Sequence, residues 1–266
     1  MRLSIRHKTA YRYSKPITYA VQTLRLTPRP HEGLNVLSWR VRGESRHDLP
    51  SFIDGYGNLV HSHTVNRPHD SAVVIVEGEV ETRPGDGVVR GAPETLPPLF
   101  YLRPTRLTAI DPAVAALAQT ARGSGCGRLI ALMEEVALRL DYRAGVTAAN
   151  TTAAEALRLG AGVCQDHAHL FIACARALGI PARYIAGYLS AGTGGDQASH
   201  GWAEVFLADY GWIGFDPSNR IQPNEAYVRA SVGLDYWSAA PVRGIRRGDG
   251  EESLTVEVKV KESAQQ

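Results

Sequence analysis

The spacing of apolar residues changes along this chain of 266 residues, and that change constrains the fold more than any other feature. In about the first hundred residues apolar and polar residues alternate, which is the two-residue period of a half-buried strand. Beyond Arg83–Pro104, a stretch rich in proline and glycine, apolar residues recur at the spacing of a helix face. The pattern predicts a β-rich region, a boundary, and then a region that mixes helices with strands.

The first region is predicted to be an all-β, sandwich-like domain. Its alternating runs are separated by Gly, Pro or Asp residues at roughly the intervals seen in sandwiches and barrels. The cluster Asp54-Gly55-Tyr56-Gly57 contains residues that tolerate positive φ, and it predicts a hairpin turn. The predicted strands are Leu3–Tyr13, Leu34–Val41, Phe52-Ile53, Asn58–Val65 and Ala72–Val80.

Helix signals begin after Pro104. Asp111-Pro112 fits an N-cap with proline at the first helical position, and Thr152-x-x-Glu155 fits a capping box. Residues 164–178 are apolar on nearly all sides, which is typical of a central buried helix. The predicted helices are Ala113–Ala121, Arg128–Leu140, Thr152–Leu159 and Cys164–Leu178. The predicted strands are Arg183–Leu189, Gly201–Leu207, Trp212–Phe215 and Leu254–Val260, the last able to complete either sheet.

Charge and hydropathy argue against several classes of partner. The 29 basic and 27 acidic residues give a net charge of +2, too small to indicate binding to nucleic acid or to an anionic membrane. No signal peptide and no run of about eighteen apolar residues is seen, so we expect a cytoplasmic protein without a membrane partner. Residues 1–50 are rich in Lys and Arg, which we attribute to solvated strand faces, with an acidic substrate or partner as the alternative.

Of the three cysteines, Cys164 is the candidate nucleophile. An odd number of cysteines without an export signal argues against a disulfide framework. Cys164 follows a glycine-rich turn and begins a helix, where free N–H groups and the helix dipole stabilise a thiolate, and where its own N–H is available to an oxyanion. Cys174 lies in mid-helix and, like Cys126, has no such feature. The alternative for Cys164 is a small buried hydrophobic residue.

A cysteine nucleophile requires a base, and the base requires an orienting group. His200 begins one predicted strand and Asp216 ends the next. A hairpin with Leu207 opposite Gly211 would place both side chains on one face, as diagonal neighbours about 7–8 Å apart at Cα. A shift of one residue would place them on opposite faces, so we predict a loop of three or five residues, or a bulge.

Other residues near these three are weaker candidates. Gln165 is predicted either to reach the oxyanion or substrate, or to be a surface amide. Trp202 is expected on the same side as His200, where it walls the site or packs in the core. Tyr142 is a candidate hydroxyl donor to the cleft. Asp166, in the first helical turn, is expected to complement the helix dipole.

A zinc site is an alternative to these assignments, because His61 and His63 lie on one face of a predicted strand and Cys164-x-x-His167 has ligand-like spacing. No second pair supports it, and a metal would occupy the nucleophile. We therefore expect no metal and place the two strand histidines at the surface. His167 is either a second pH-sensitive group near the thiolate or a ring packed where another ring would otherwise lie, and the second interpretation is preferred.

Several motifs occur together between residues 105 and 220. They are Gly162-Val-Cys-Gln-Asp166, Gly179-Ile-Pro-Ala-Arg-Tyr184, Gly187-Tyr188, His200-Gly-Trp-Ala-Glu204, and Gly211-Trp212 with Asp216-Pro217. In this order they resemble the core of the bacterial transglutaminase-like proteins. Residues 1–90 also resemble the N-terminal region that many of these proteins carry.

The resemblance implies a papain-like α+β core, with helices packed on an antiparallel sheet and a triad of Cys164, His200 and Asp216. It implies acyl transfer from a carboxamide or peptide bond, through a thioester acyl-enzyme, to an amine or to water. The expected partner is a peptide or protein substrate that carries an amide acyl donor, and no cofactor is expected. The alternatives are a cysteine protease or amidase that only hydrolyses, and an inactive binding module of the same fold.

The predicted organisation follows from these signals. Residues 1–90 form the β-rich domain, residues 91–104 the connection, residues 105–240 the transglutaminase-like core, and residues 241–266 a C-terminal strand and tail. The predicted fold class is therefore α+β, a papain-like core preceded by an all-β, sandwich-like domain.

Overall fold

The computed structural model describes residues 1–44, 48–190 and 199–262. The strands are β1 (Arg2–Ile17), β2 (Tyr19–Leu24), β3 (Leu34–Arg42), β4 (Ser51–Ile53), β5 (Leu59–Val65), β6 (His69–Thr82), β7 (Val88–Val89), β8 (Asp141–Tyr142), β9 (Ala161–Gly162), β10 (Ala182–Leu189), β11 (Ser199–Leu207), β12 (Gly211–Phe215), β13 (Tyr227–Gly233), β14 (Val242–Arg247) and β15 (Glu252–Glu262). The helices are α1 (Pro112–Thr120), α2 (Gly125–Arg139), α3 (Ala153–Leu159), α4 (Cys164–Ala177) and α5 (Tyr236–Ala239), and a 3-10 turn spans Pro98–Leu102.

The N-terminal strands form two four-stranded antiparallel sheets, in the orders β15-β1-β6-β3 and β14-β2-β5-β4. Leu24, Val41 and Val74 belong to one buried apolar cluster to which both sheets contribute, as the sandwich-like prediction requires. The predicted hairpin at Asp54 is present: strands β4 and β5 pair, and the Asp54 carboxylate accepts hydrogen bonds from two backbone N–H groups of the turn. The predicted α+β class with a β-rich N-terminal region is confirmed.

The outer face of the first sheet explains the basic character of the N-terminal region. Arg6 and Arg42 form ion pairs with Glu77 on β6, and Arg2 forms one with Glu79. Solvent-exposed pairs of this kind contribute little to stability. Part of the local excess of basic residues is therefore matched across the strands, which agrees with the interpretation of solvated strand faces.

The two strands after residue 241 return to this N-terminal region. Strand β15 pairs with β1 along eleven residue pairs, and β14 pairs with β2. The sequence pattern does not predict β2, β13 or β14. In β13 the polar residues Arg229 and Ser231 interrupt the apolar run, yet both are buried and hydrogen-bonded, Arg229 to the Glu204 carboxylate at 2.7 Å.

The expected surface position of His63 is wrong. Its ring is buried, and Nδ1 lies 3.0 Å from the Gln22 side-chain oxygen. The ring lies against Gly43, where a Cβ atom would overlap it, so glycine leaves the space that the histidine fills. His61, on the same strand, is half-buried.

The second region is a five-stranded antiparallel sheet, β13-β10-β11-β12-β7, with helices packed on one face. Helix α4 crosses β10 and β11, and α1, α2 and α3 pack around it. Leu170, Phe171 and Ile172 are consecutive and fully buried, which confirms the prediction of a central helix. The capping box at Thr152 and the N-cap at Asp111 are also present.

The sheet β15-β1-β6-β3 is long enough to contact the five-stranded sheet and to reach the start of α4. Leu3 and Ile5 on β1 pack against Tyr188 of β10, and the ring of His7 lies 3.2 Å from the Tyr188 hydroxyl. Further along the same face, Tyr11 lines a cavity beside the N-terminus of α4. Within the described ranges no helix is long and apolar enough to cross a membrane.

Candidate active site

A cavity of about 270 Å³ lies where α4 begins. It is lined by side chains from both regions of the molecule. They include Tyr11, Cys164, Gln165, Tyr184, His200 and Tyr236. The structure therefore brings Cys164 and His200, which are 36 positions apart in the sequence, to one cavity.

The glycine-rich turn holds Cys164 at the first position of α4. The buried Asp166 carboxylate accepts hydrogen bonds from the Val163 N–H at 2.8 Å and from the Thr147 hydroxyl at 2.7 Å. A Cβ atom at Gly162 would lie 2.6 Å from the Asp166 Cβ, so the turn has no room for a side chain there. Asp166 lies in the first turn, as its expected effect on the helix dipole requires, and it also ties the turn before Cys164 in place.

His167 has a polar role that the sequence interpretation did not give it. The ring is buried, but its two nitrogens each lie 3.0 Å from a backbone carbonyl oxygen, those of Val163 and Leu140. It connects the turn before Cys164 to the end of α2. Tyr142 lies 6.1 Å from this ring between centroids, is 44% exposed, and does not line the cavity.

His200 and Asp216 are brought together by a hairpin with the predicted register. Leu207 pairs with Gly211, which leaves a three-residue loop, so the predicted hairpin is confirmed. His200 Nε2 donates to Asp216 Oδ2 at 2.6 Å, and the carboxylate is fully buried. A charge-assisted bond of this length fixes the orientation of the imidazole.

Three further residues donate hydrogen bonds to the Asp216 carboxylate. The Tyr227 hydroxyl and the Asn219 amide reach Oδ2 at 2.7 Å, and the Ser218 hydroxyl reaches Oδ1 at 2.7 Å. None of the three was predicted from the sequence. The Asp-Pro-Ser-Asn sequence is typical of a side-chain-stabilised turn and could have indicated two of them, whereas Tyr227 lies on a strand that was not predicted.

The electrostatics of the pair follow from these contacts. Burial alone would lower the pKa of His200, but hydrogen bonds to Asp216 and Cys164 outweigh it and raise the pKa to about 10. Burial alone would raise the pKa of Asp216, but hydrogen bonding and charge from His200, with Ser218 and Tyr227, lower it to about 2. The imidazole is therefore a cation and the carboxylate an anion at neutral pH.

Gln165 and Trp202 occupy different positions relative to the cavity. Gln165 lines it, and its side-chain amide donates to the Ala149 carbonyl oxygen at 3.3 Å. Trp202 is buried and lies on the His200 side, with the two rings stacked at 6.2 Å between centroids. Trp202 supports the histidine from behind and does not line the cavity.

Two tyrosines on the walls were also missed. Tyr184 and Tyr236 line the cavity together with Cys164. Burial raises the pKa of both phenols, and negative charge at Cys164 acts in the same direction, so both stay neutral. A Cβ atom at Gly201 would overlap the Tyr184 hydroxyl. The glycine after His200 therefore provides the space that this hydroxyl occupies. The part of the chain that the structure describes contains no group of three or more His, Cys, Asp or Glu side chains that could hold a metal ion.

Comparison with known families agrees with this arrangement. The sequence model described as the transglutaminase-like superfamily matches residues 113–217, a range that contains Cys164, His200 and Asp216. The chain belongs to the transglutaminase-like superfamily. The N-terminal region of this transglutaminase-like protein, residues 3–81, matches the bacterial transglutaminase-like N-terminal region. Both parts of the resemblance inferred from the motifs are confirmed.

Relatives of this transglutaminase-like protein extend over nearly its whole length. The uncharacterized protein ML0607 of Mycobacterium leprae is 31% identical over 275 residues, covering 97% of this chain and 98% of its own. The uncharacterized protein Rv2569c of Mycobacterium tuberculosis is 29% identical over 282 residues, covering 95% and 90%. A crystal structure named "Putative Cysteine Protease from Cytophaga hutchinsonii" has a TM-score of 0.78 at 20% identity, covering 100% of this chain and 92% of its own, which shows a shared fold.

Proposed function

We propose that this transglutaminase-like protein is a cysteine-dependent enzyme that takes an acyl group from a carboxamide or peptide bond and passes it to an amine or to water. One observation carries the proposal. Cys164 begins a buried helix in the same cavity as His200, and His200 is hydrogen-bonded at 2.6 Å to the buried Asp216 carboxylate. A nucleophile, a base and an orienting carboxylate are thus available to one substrate.

In the acylation step the Cys164 thiolate attacks the substrate carbonyl carbon. The protonated His200 next to the sulfur stabilises the thiolate, and the N–H groups of the first turn of α4 are available to the oxyanion. The C–N bond then breaks, the leaving amine takes the proton from His200, and a thioester remains on Cys164. Asp216 keeps the ring oriented throughout.

In the deacylation step an amine or a water molecule attacks the thioester carbonyl carbon. Neutral His200 accepts the proton of this nucleophile, the C–S bond breaks, and the electron pair returns to sulfur as thiolate. An amine acceptor gives a new amide and a water acceptor gives a carboxylic acid. The neighbouring structure named "Putative Cysteine Protease" shares this fold, and a protease uses water as its acceptor.

The reactivity of Cys164 can be tested without a known substrate. We expect iodoacetamide at pH 6.5 to alkylate Cys164 at least about tenfold faster than a free thiol, because a thiolate paired with a cation reacts under conditions where free thiols are protonated. His200→Ala should abolish this advantage. Cys126→Ala serves as the matched control, because Cys126 lies outside the cavity and its loss should leave the rate unchanged. A Cys164 rate no faster than that of a free thiol, and insensitive to His200→Ala, would contradict the proposal.

The acceptor is identified by the product. A glutamine-containing peptide is incubated with the protein, with and without a primary amine, and mass spectrometry follows the peptide and the intact protein. A peptide in which the added amine has replaced the ammonia of the glutamine side chain indicates transfer. A peptide in which that side-chain amide has become a carboxylic acid indicates hydrolysis. If the intact wild-type protein gains the mass of the acyl group and the Cys164→Ala variant does not, the acyl group is attached to Cys164 as a thioester.

A further inference from the structure

One wall of the cavity comes from outside the helical core. Tyr11 on β1 and Leu254 on β15 are paired opposite each other, and both line the cavity that contains Cys164. Val256, two residues further along β15, lines it as well. The N-terminal sheet and the C-terminal strand that completes it therefore form part of the wall of the cavity that contains the candidate nucleophile.

The apolar side chains on this wall are only half covered. Val258 and Val260, on the same face of β15, are partly buried against the core. Leu254 and Val256 continue that face towards the cavity and are 53% and 47% exposed. Because side chains alternate along a strand, Thr255 points to the opposite face. The sheet thus presents unpaired apolar surface beside Cys164, and covering it would be favourable.

The cavity also offers nothing that would hold a charged group at this wall. Among the residues that the structure describes, no Lys, Arg, Asp or Glu side chain lines it. His7 lines it too, but burial lowers its pKa to about 4, so its ring is neutral at neutral pH. Of the groups that line the cavity, the charged one is therefore His200, which the proposed reaction already uses together with Asp216.

We propose that Tyr11, Leu254 and Val256 form a substrate subsite that selects an apolar side chain next to the acyl carbonyl attacked by Cys164. This inference rests on the proposed function and adds the substrate class. The occupant is a side chain of leucine or phenylalanine type, because Leu254 and Val256 are apolar and the cavity, at about 270 Å³, is small for a ligand pocket. The N-terminal β region is then part of the active site as a specificity-determining wall.

Two chloromethyl ketones with the same reactive group test the subsite. N-acetyl-phenylalanyl and N-acetyl-aspartyl chloromethyl ketone both alkylate a thiolate with loss of chloride and differ only in the side chain next to the carbonyl. The measured quantity is the ratio of their second-order rate constants at Cys164. We expect the wild type to favour the phenylalanyl reagent by about tenfold or more, the scale on which an apolar pocket discriminates.

Substitutions on the wall should change this ratio. Leu254→Asp and Val256→Asp should each lower it about tenfold, because an anion now faces the apolar side chain. Thr255→Asp places the same charge on the same strand but on the opposite face, and it should leave the ratio unchanged. Leu254→Ala should lower the ratio about threefold. This smaller change keeps the test decisive if the aspartate variants do not fold. Thermal unfolding identifies the folded variants.

The outcomes separate this inference from the proposed function. A ratio that stays at the wild-type value in Leu254→Asp, Val256→Asp and Leu254→Ala, with iodoacetamide alkylation of wild-type Cys164 still fast and dependent on His200, overturns the subsite alone. A ratio that falls equally in Thr255→Asp shows a general charge effect and also overturns it. Slow iodoacetamide alkylation of the wild type overturns the proposed function, and the subsite with it.

Discussion

Replacing Asp216 by asparagine tests the charge in the His200–Asp216 pair with little change in side-chain shape. Oδ2 accepts hydrogen bonds from His200, Asn219 and Tyr227, and Oδ1 accepts from Ser218. An amide must turn its N–H₂ group towards one of these sets of donors. The substitution therefore removes both the negative charge and at least one acceptor from a fully buried position.

The structure gives the size of the effect on His200. Its pKa of about 10 exceeds the ordinary value of 6.5 by about 3.5. At 1.36 kcal/mol per pKa unit, the surroundings favour the imidazolium by about 5 kcal/mol, net of the opposing effect of burial. Hydrogen bonding to Cys164 supplies part of this, so a Cys164→Ser background isolates the contribution of Asp216. With asparagine at position 216 as well, burial dominates and the pKa of His200 should fall below 6.5.

The same change alters how stability depends on pH. Because the pKa of His200 is higher in the folded than in the unfolded state, its stabilising contribution is complete below pH 6.5 and is lost as pH rises towards 10. The loss approaches about 1.4 kcal/mol per pH unit in that window. Asp216→Asn in the serine background should abolish this slope.

Nitrogen NMR of the imidazole ring measures the pKa of His200, and urea unfolding at pH 6.5, 7.5 and 8.5 measures the slope. Asp209→Asn, in the exposed hairpin turn, is the matched control and should change neither. Equal pKa values of His200 with aspartate and with asparagine at position 216 would refute the reasoning, because the carboxylate would then not be what keeps the imidazole charged.

Two further changes test the supports of the site. Gly201→Ala places a Cβ atom on the Tyr184 hydroxyl, so iodoacetamide alkylation of the candidate nucleophile at pH 6.5 should slow about tenfold. Adding Tyr184→Phe should restore part of the rate. An alkylation rate that is unchanged in Gly201→Ala would contradict the steric argument. Glu204→Gln leaves the buried arginines Arg183 and Arg229 without the carboxylate that they share. Urea unfolding should show that the free energy of unfolding falls by about 3–5 kcal/mol. Glu79→Gln, at an exposed pair, should cost less than about 1 kcal/mol, and equal losses would refute the importance of burial.

Local signals account for the parts of the site that could be predicted from the sequence. The glycine-rich turn, the capping residues and the apolar surface of α4 act within a few residues of one another, so they are visible in the sequence around Cys164. The loop of the β11–β12 hairpin was predicted from the requirement that His200 and Asp216 share a face, and the three-residue loop of the structure agrees with it. The pairing of His200 with Asp216 depends on the register of this hairpin.

The residues that were missed depend on contacts distant in sequence. Tyr227 donates to Asp216 from β13, a strand hidden by the buried polar residues Arg229 and Ser231. Their burial is tolerated because other elements supply partners, the Glu204 carboxylate for Arg229 and the Ala239 carbonyl for Ser231. In a pattern of alternating apolar and polar residues, Arg229 and Ser231 look like exposed positions that interrupt a strand, because the pattern contains no information about their partners.

By itself, the sequence determined a β-rich region followed by an α+β core, a cysteine at the start of a buried helix, and a histidine and an aspartate on two consecutive strands. These features arise from local periodicity and turn chemistry. The tertiary structure alone decided that β15 pairs with β1 and that residues of both strands line the cavity that contains Cys164. Alternation marks Leu254–Val260 as a strand but does not specify its partner, because strand pairing depends on which apolar faces the whole fold leaves to be covered.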